Sequence, residues 1–499
     1  KVIDKHHFDI LLGHESYEYE YNYLTASMKD QKFDNNYELG NYSNLNTTPN
    51  SYTHKYATEG YLSRFNYDYN SKYFVSGSFR RDGSSRFYKD SRWGNFWSIG
   101  GGWRIDKEKF MSKFEFIDLL KLRASYGEVG NDDIGGYYPW RATYENAQNA
   151  GEAGYIQSSL GNKNLQWEVS RNFDVAVEFG FLNKIRGSIE YFNRKSSNLL
   201  FSVPLSFSTG MESQDMNAGS MYNRGIEVEI NTNIFDRKDF TWDVNVNATH
   251  IKNKVTDLPV DPFISGKHKI EEGHSRYEFY LKQWKGVDPA TGSSLYLPNE
   301  TALKESESLV DVNGTTYTTD INEALEDYSG DAMPKVSGGI STNLTYKGFS
   351  LALTFYYQLG GKMYDTAYSS LMSPGTGSLS YSNMHVDILK RWQKPGDITN
   401  VPRVSNGSDA TNLTGSSTQW LVSSNMLELS TINFGYTFPK TWISRFSLSD
   451  LKLYFSAENV FQITKRQGIY PRKNISGYAS NGDVYLPSRV FTMGLNLTF

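Results

Sequence analysis

Between Leu165 and Phe181 the chain reads LQWEVSRNFDVAVEFGF, and its two parities separate. Odd positions hold Leu165, Trp167, Val169, Phe173, Val175, Val177, Phe179 and Phe181, interrupted only by Arg171. Even positions hold Gln166, Glu168, Ser170, Asn172, Asp174, Ala176, Glu178 and Gly180. A period of two kept for this long specifies a β-strand with one apolar and one polar face, and it is incompatible with the 3.6 period of a helix.

The same alternation recurs. SYEYEYNYL sets Tyr17, Tyr19, Tyr21 and Tyr23 against Glu18, Glu20 and Asn22. WGNFWSIGGGWRI aligns Trp93, Trp97, Ile99, Trp103 and Ile105. RGIEVEIN sets Ile226, Val228 and Ile230 against Glu227, Glu229 and Asn231, and TWDVNVN sets Trp242, Val244 and Val246 against Asp243, Asn245 and Asn247. About fourteen such strands are expected, near 7–28, 55–70, 72–84, 92–105, 119–130, 165–181, 185–201, 222–234, 240–253, 334–345, 349–363, 419–437, 450–464 and 486–499.

Which solvent meets the apolar faces is decided by composition and by the connections. Aromatics are 15% of the 499 residues while the hydrophobic fraction is only 38%, with mean hydropathy −0.56. That suits strands with water on one side and a thin apolar layer on the other. Net charge is −4, which gives no electrostatic footprint for nucleic acid, and cysteine is absent. No apolar run reaches the length of a membrane helix. Tight turns at Asn70-Ser71, around Asn183-Lys184, at DRKD (236–239) and at Tyr346-Lys347-Gly348 alternate with long polar stretches at 29–54, 131–164, 202–221, 254–333, 364–418 and 465–485. Short turns on one side and long loops on the other are the signature of a transmembrane antiparallel β-barrel. The apolar odd face of 165–181 is therefore expected to meet lipid, and its even face a watery lumen. That strand, rising roughly 40 Å, overshoots an apolar band of about 25 Å. Arg171 is then expected at the outer headgroup level, facing lipopolysaccharide phosphates.

Several long motifs resemble one family, the SusC/RagA-like TonB-dependent transporters. They are LSRFNYDYNSKYFVSGSFRRDGSSRF (62–87) with RWGNFWSIGGGWRIDKEKFM (92–111), LLKLRASYGEVGND (119–132), NKNLQWEVSRNFDVAVEFGFLNKIRGSIEYFNRKSSNLL (162–200), NAGSMYNRGIEVEI (217–230) and ENVFQITKRQGIYPRKN (458–474). The final RVFTMGLNLTF, closing on Phe499, resembles the terminal-aromatic signal read by the barrel-assembly machinery. The resemblance implies a 22-stranded barrel in the bacterial outer membrane, of which residues 1–499 supply about 14 strands as the C-terminal part. The plug, the N-terminal domains and the first strands are expected on another piece. It also implies partners: that plug-bearing portion, a SusD-like surface lipoprotein, the inner-membrane TonB–ExbB–ExbD complex acting through the plug, outer-membrane lipid and lipopolysaccharide, and a glycan or peptide cargo. The alternatives are a soluble all-β carbohydrate-binding protein and a passive porin.

The family is not enzymatic, and the residues suggest no rival chemistry. His6-His7 lacks the spacing of a metal site. Asp132-Asp133 and GVDPATGSS (286–294) could offer oxygens to a loop calcium, though an Asx-turn is the commoner fate of such sequences. No cofactor is otherwise expected. RRDGSS (80–85) reads as a basic turn with Asp82-Gly83 at its tip. The functional candidates are inward polar groups and loop aromatics. Glu168, Asn172, Asp174, Glu227, Glu229, Asn231, Asp243, Asn245 and Asn247 are expected to line the lumen or grip a plug, most of them as solvated wall. Tyr137, Tyr138, Trp140 and Trp284 are expected in loops, where exposed rings can stack on sugar faces or peptide side chains, or else simply pack against neighbouring loops or a partner protein.

Overall fold

A computed structural model describes residues 2–373, 383–405, 409–478 and 486–499. The stretches 374–382, 406–408 and 479–485, inside the loops expected at 364–418 and 465–485, fall outside the described residues. Fourteen long strands form: β1 (His6–Gln31), β2 (Tyr42–Tyr69), β3 (Tyr73–Ser84), β4 (Trp93–Arg104), β5 (Ile117–Asn131), β6 (Glu168–Phe181), β7 (Ile185–Ser197), β8 (Ser220–Arg237), β9 (Phe240–Asp257), β10 (Val336–Tyr346), β11 (Phe349–Leu359), β12 (Met426–Thr437), β13 (Asp450–Thr464) and β14 (Val490–Thr498). Their hydrogen-bonded order is their order in the chain, with a two-residue strand, Val2–Ile3, paired to the foot of β1. An antiparallel meander sends successive connections to opposite ends, so one end is a turn end and the other a loop end.

The turn end is built as expected. Asn70-Ser71, Leu182-Asn183 and Lys347-Gly348 all take positive φ, the two-residue hairpin geometry that matches strand twist. Two connections at this end are longer, 105–116 and 438–449, and each carries short helical turns.

The chain divides into two compact units. The first comprises 1–104, 123–174 and 194–221, and the second 105–122, 175–193 and 222–499. In the first unit the pairing runs without a shift from His6↔Tyr69 to Thr25↔Asn50, so every face can be followed across strands. Phe8, Ile10 and Leu12 of β1 share a face with Tyr61, Phe65 and Tyr67 of β2, Val75 and Phe79 of β3, and Trp97 and Ile99 of β4. Ile10, Leu12, Phe65, Phe79, Trp97 and Ile99 are all exposed. The opposite face holds Asp9, Glu15, Arg64, Asn66, Arg80 and Asp82, tied by Arg80 Nη2 to Glu15 at 3.0 Å, Arg80 Nε to Asp82 at 2.6 Å and Asn66 Nδ2 to Asp9 at 3.2 Å.

β6 repeats the arrangement, with Phe173 and Val177 40% and 38% exposed while Ala176 and Gly180 on the other face are buried. The strand starts only at Glu168, so two residues expected on its outer row lie elsewhere. Leu165 is fully buried, and the Trp167 indole donates to the Arg92 carbonyl at 2.8 Å and packs on Phe87 and Phe96. Phe96 needs glycine around it: a Cβ at Gly130 would lie 2.0 Å from its ring. Arg171 sits three residues into β6 from the loop end. Its guanidinium pairs with a carboxylate of the same unit, Glu128, at 2.8 Å.

Two further expectations need correction. The stretch 29–54 is largely strand, because β1 and β2 extend as a tall hairpin whose connection is only 32–41. Asp82 and Gly83 lie inside β3, paired with Gly94 and Trp93, so the turn falls after them. The long polar stretch expected at 254–333 does connect two wall strands, and it has structure of its own. It holds two small sheets, one of Phe263–Ser265, His268–Ile270, Glu278–Lys282 and Glu326–Asp331, the other of Trp284–Val287, Ser294–Tyr296, Leu309–Val312 and Thr315–Thr318.

Candidate loop platform and polar wall

The tall hairpin contains a change of phase. From Asp9 to Glu15 the odd face of β1 carries Asp9 and Glu15 with Leu11 and Gly13 between them, yet above it the same face carries Tyr17, Tyr19, Tyr21 and Tyr23. These pair with Thr58, Tyr56, His54 and Tyr52 of β2. The rings form a ladder: Tyr23 on Tyr52 at 4.8 Å, Tyr52 on His54 at 4.7 Å, His54 on Tyr137 at 4.8 Å and Tyr137 against Tyr19 at 6.5 Å. The tyrosine row therefore continues the polar face of the wall, opposite to the exposed apolar row of Phe8, Ile10 and Leu12.

The loop from 132 to 167 is tied onto this hairpin by the end of the RDGSSRF motif. Asp132 Oδ2 accepts from the hydroxyls of Tyr56 at 2.8 Å and Ser84 at 2.6 Å. Arg86 pairs with Asp133 at 2.9 Å and lies over the Tyr56 ring. Ser85 Oγ accepts the Ala57 amide, and its carbonyl accepts the Trp140 indole at 3.3 Å. The Asp132-Asp133 carboxylates thus have protein donors. Sequence reasoning missed this knot; its signal was the acidic pair in one motif and the Ser-Ser-Arg run in another.

The predicted rings are engaged too. The Tyr138 hydroxyl accepts from the Lys55 amide at 2.9 Å, and Trp140 lies between Tyr88 and Arg141. A cavity of about 440 Å³ remains, walled by Tyr19, Tyr56, Tyr138 and Trp140 with Glu20, Lys55, Arg92 and Arg141. In the second unit, Trp284 is turned inward, donating to Ser294 Oγ at 3.2 Å and packing on Tyr296, Ile321 and Ala324. Asp288 closes an Asx-turn on the Ala290 amide and the Thr291 hydroxyl. Trp392 donates to the Pro289 carbonyl and covers Gly292, whose φ of +72° and missing Cβ admit the ring.

The polar residues expected inward share one face on each strand. On β8 and β9, Asn231 donates to Glu229 at 3.0 Å, Asn245 bridges to Glu229 and Asn231, and Asn233 donates to Asp243 at 2.8 Å. Asn247 accepts the Gly339 amide from β10. Glu227 is exposed on the same face of β8. On β6, Glu168 accepts the Leu200 amide, Asn172 accepts from Ser170, and Asp174 is half-buried.

Two basic residues of KRQGIYPRKN were not singled out beforehand. Arg466 pairs at 2.8 Å with Asp365, which is 2% exposed, and stacks on Tyr368. Arg472 approaches Glu428, 3% exposed, which also accepts from the Tyr470 hydroxyl. A basic pair spaced by six residues is too common a pattern to identify its acids in advance. His268 lies in the loops at 6% exposure, its Nε2 bonded to the Ser476 carbonyl and its ring against Phe279; burial holds its pKa below the ordinary histidine value.

Residues 4–460 match the family model for the β-barrel of TonB-dependent receptor-like proteins. TonB-dependent receptor P39 of Formosa agariphila is 30% identical over 99% of this chain and 51% of its own length. TonB-dependent receptor SusC of Bacteroides thetaiotaomicron is 28% identical over 88% of this chain and 43% of its own. Among solved structures, the RagAB peptide transporter aligns over the whole chain and 54% of its own, with TM-score 0.83 and 25% identity. The chain spans about half the length of the curated relatives it matches.

Proposed function

Because this chain belongs to the TonB-dependent receptor β-barrel family, we propose that it forms the wall and loop platform of an outer-membrane importer of SusC and RagA type. The cargo is an oligosaccharide, with an oligopeptide as the second reading, favoured by the likeness to the RagAB peptide transporter. In this proposal a SusD-like lipoprotein covers the loop end. The TonB–ExbB–ExbD complex pulls a plug carried by another portion of the transporter, against the Glu, Asp and Asn ladders of the polar face. The rows of exposed Ile, Leu, Phe and Trp speak against the soluble alternative, since water would meet them all.

The observation that carries the reading is the phase change in β1. Below it, Phe8, Ile10 and Leu12 share the outward face, while Asp9 and Glu15 lie on the inward one together with Leu11. Above it, tyrosines turn inward, at the level where the hairpin outruns an apolar band of about 25 Å. Rings displayed there beside Arg92 and Arg141 suit the apolar faces and hydroxyls of sugars. The test is calorimetric titration of the purified transporter and its lipoprotein with oligosaccharide and oligopeptide series. Tyr19→Ser is expected to weaken the bound series about two- to tenfold, the value of one stacking ring. An unchanged affinity for every ligand would remove the platform from the path. Purification with neither plug nor lipoprotein would instead leave a passive pore.

A further inference from the structure

The connection 438–449, at the turn end between β12 and β13, has a construction that transport does not account for. Lys440–Ile443 forms one helical turn and Ser444–Phe446 a 3-10 turn. Ile443 points into the protein and is buried, while Trp442 and Phe446 point away at 60% and 75% exposure. Lys440 and Arg445 are exposed beside them, and neither has an acidic partner among the described residues. The connection continues a cluster of rings: Phe438 packs edge-on against Tyr436 at 4.8 Å, and Tyr436 lies 4.4 Å from Phe349. Rings of this kind gather at the headgroup level of a bilayer.

The other long connection at this end, 105–116, supplies a contrast. It also exposes aromatics, Phe110, Phe114 and Phe116. Its cations Lys107, Lys109 and Lys113 are matched in the sequence by Asp106, Glu108 and Glu115, so it holds no surplus charge. Both connections can enter a membrane interface; only 438–449 offers it two unmatched cations.

We propose that residues 438–449 bind the phosphate of an anionic phospholipid in the leaflet facing the periplasm. Trp442 and Phe446 sit at the acyl boundary, and Lys440 and Arg445 hold the headgroup phosphate from above. A basic residue near an anionic membrane surface contributes about fivefold in affinity, so the pair together contributes roughly 25-fold.

The intact transporter is reconstituted in mixed phosphatidylethanolamine–phosphatidylglycerol vesicles, and the lipids it retains are counted by native mass spectrometry. In Lys440→Gln/Arg445→Gln, retained phosphatidylglycerol is expected to fall towards the level of phosphatidylethanolamine, with the latter unchanged. The Phe110→Ser/Phe114→Ser variant is expected to keep its phosphatidylglycerol preference. Heat-modifiable gel mobility confirms that each variant is a folded barrel. Equal phosphatidylglycerol retention in the charge variant overturns the proposal. So does crosslinking from position 442 to a periplasmic protein in place of lipid.

Discussion

Within the second unit the same kinds of side chain meet opposite fates. Phe279, Tyr296, Tyr364 and Trp420, all from the long loops, are withdrawn from solvent and packed on one another or on Leu281, Met372 and Ile321. Ile226, Ile230, Phe349 and Phe434, all from the wall, stay exposed. The protein's conventional core therefore lies in its loops, and its strands present their apolar groups to an outside solvent. The loops stand in water and must bury rings to stay folded. The wall has lipid to bury them, and its cohesion comes from the hydrogen-bonded ladder that joins strand to strand.

The contrast breaks hardest in the loop core. Trp420→Ala removes a ring buried among Phe279, Leu281 and Tyr368 and is expected to cost about 3–5 kcal/mol. The loss should stay local: limited proteolysis would cut within 360–425 while the barrel keeps its compact migration in unheated detergent gels. Arg466→Ala is expected to act in the same place at a similar size, because it strands the buried Asp365 carboxylate without its cation.

The wall should show the mirror response. Ile230→Arg places a cation on the exposed face of β8 and is expected to cost roughly 2–4 kcal/mol, read as a lower urea midpoint for unfolding from lipid vesicles. Protease sensitivity of the loops should not change. If instead the loops loosen and the wall is indifferent, Ile230 does not face lipid.

How much of this was readable beforehand follows the same division. A strand in lipid is constrained residue by residue, so period two at Phe173–Phe181 and Phe491–Leu497, and turn geometry at Asn70-Ser71, were visible in single residues. The change of phase between Leu12 and Tyr17 was equally present, but alternation alone does not say which face is which. That takes the register with β2, a contact about fifty residues away in sequence for Leu12↔Ser63. The loop core was not legible. Ser294 bonds Leu413 and Tyr296 bonds Asn412 across more than a hundred residues, and neither segment has a periodic signal. The acids that take up Arg466 and Arg472 had no periodic signal either, whereas the Asp132-Asp133 pair that takes up Arg86 was visible and only its partner was not.

A smaller effect separates loops from wall by pH. His268 is buried in the loop core and its folded pKa is lowered, so the unfolded segment binds a proton more readily than the folded one. Its contribution is complete above the unfolded value, about 6.5, and is lost as pH falls towards the folded value. Loop stability, followed by protease protection of 258–335, is expected to fall by up to about 1.4 kcal/mol per pH unit in that window. His268→Gln should flatten the slope without altering gel mobility of the barrel.

The smallest expected change lies in the first unit and asks whether its loops follow the same rule. Ser84 ends β3, and its hydroxyl reaches Asp132, the carboxylate that also takes the Tyr56 hydroxyl and faces Arg86. Ser84→Ala deletes one donor and leaves the other two, so the carboxylate stays satisfied and the cost is about 0.5–1.5 kcal/mol. The β3 ladder is unaffected because Ser84 bonds Asp132 through its side chain alone. The effect should appear as faster cleavage in 132–167 with an unchanged urea midpoint for the barrel. A matching loss in the barrel would mean that the Ser84–Asp132 knot belongs to the wall rather than to the loops it ties down.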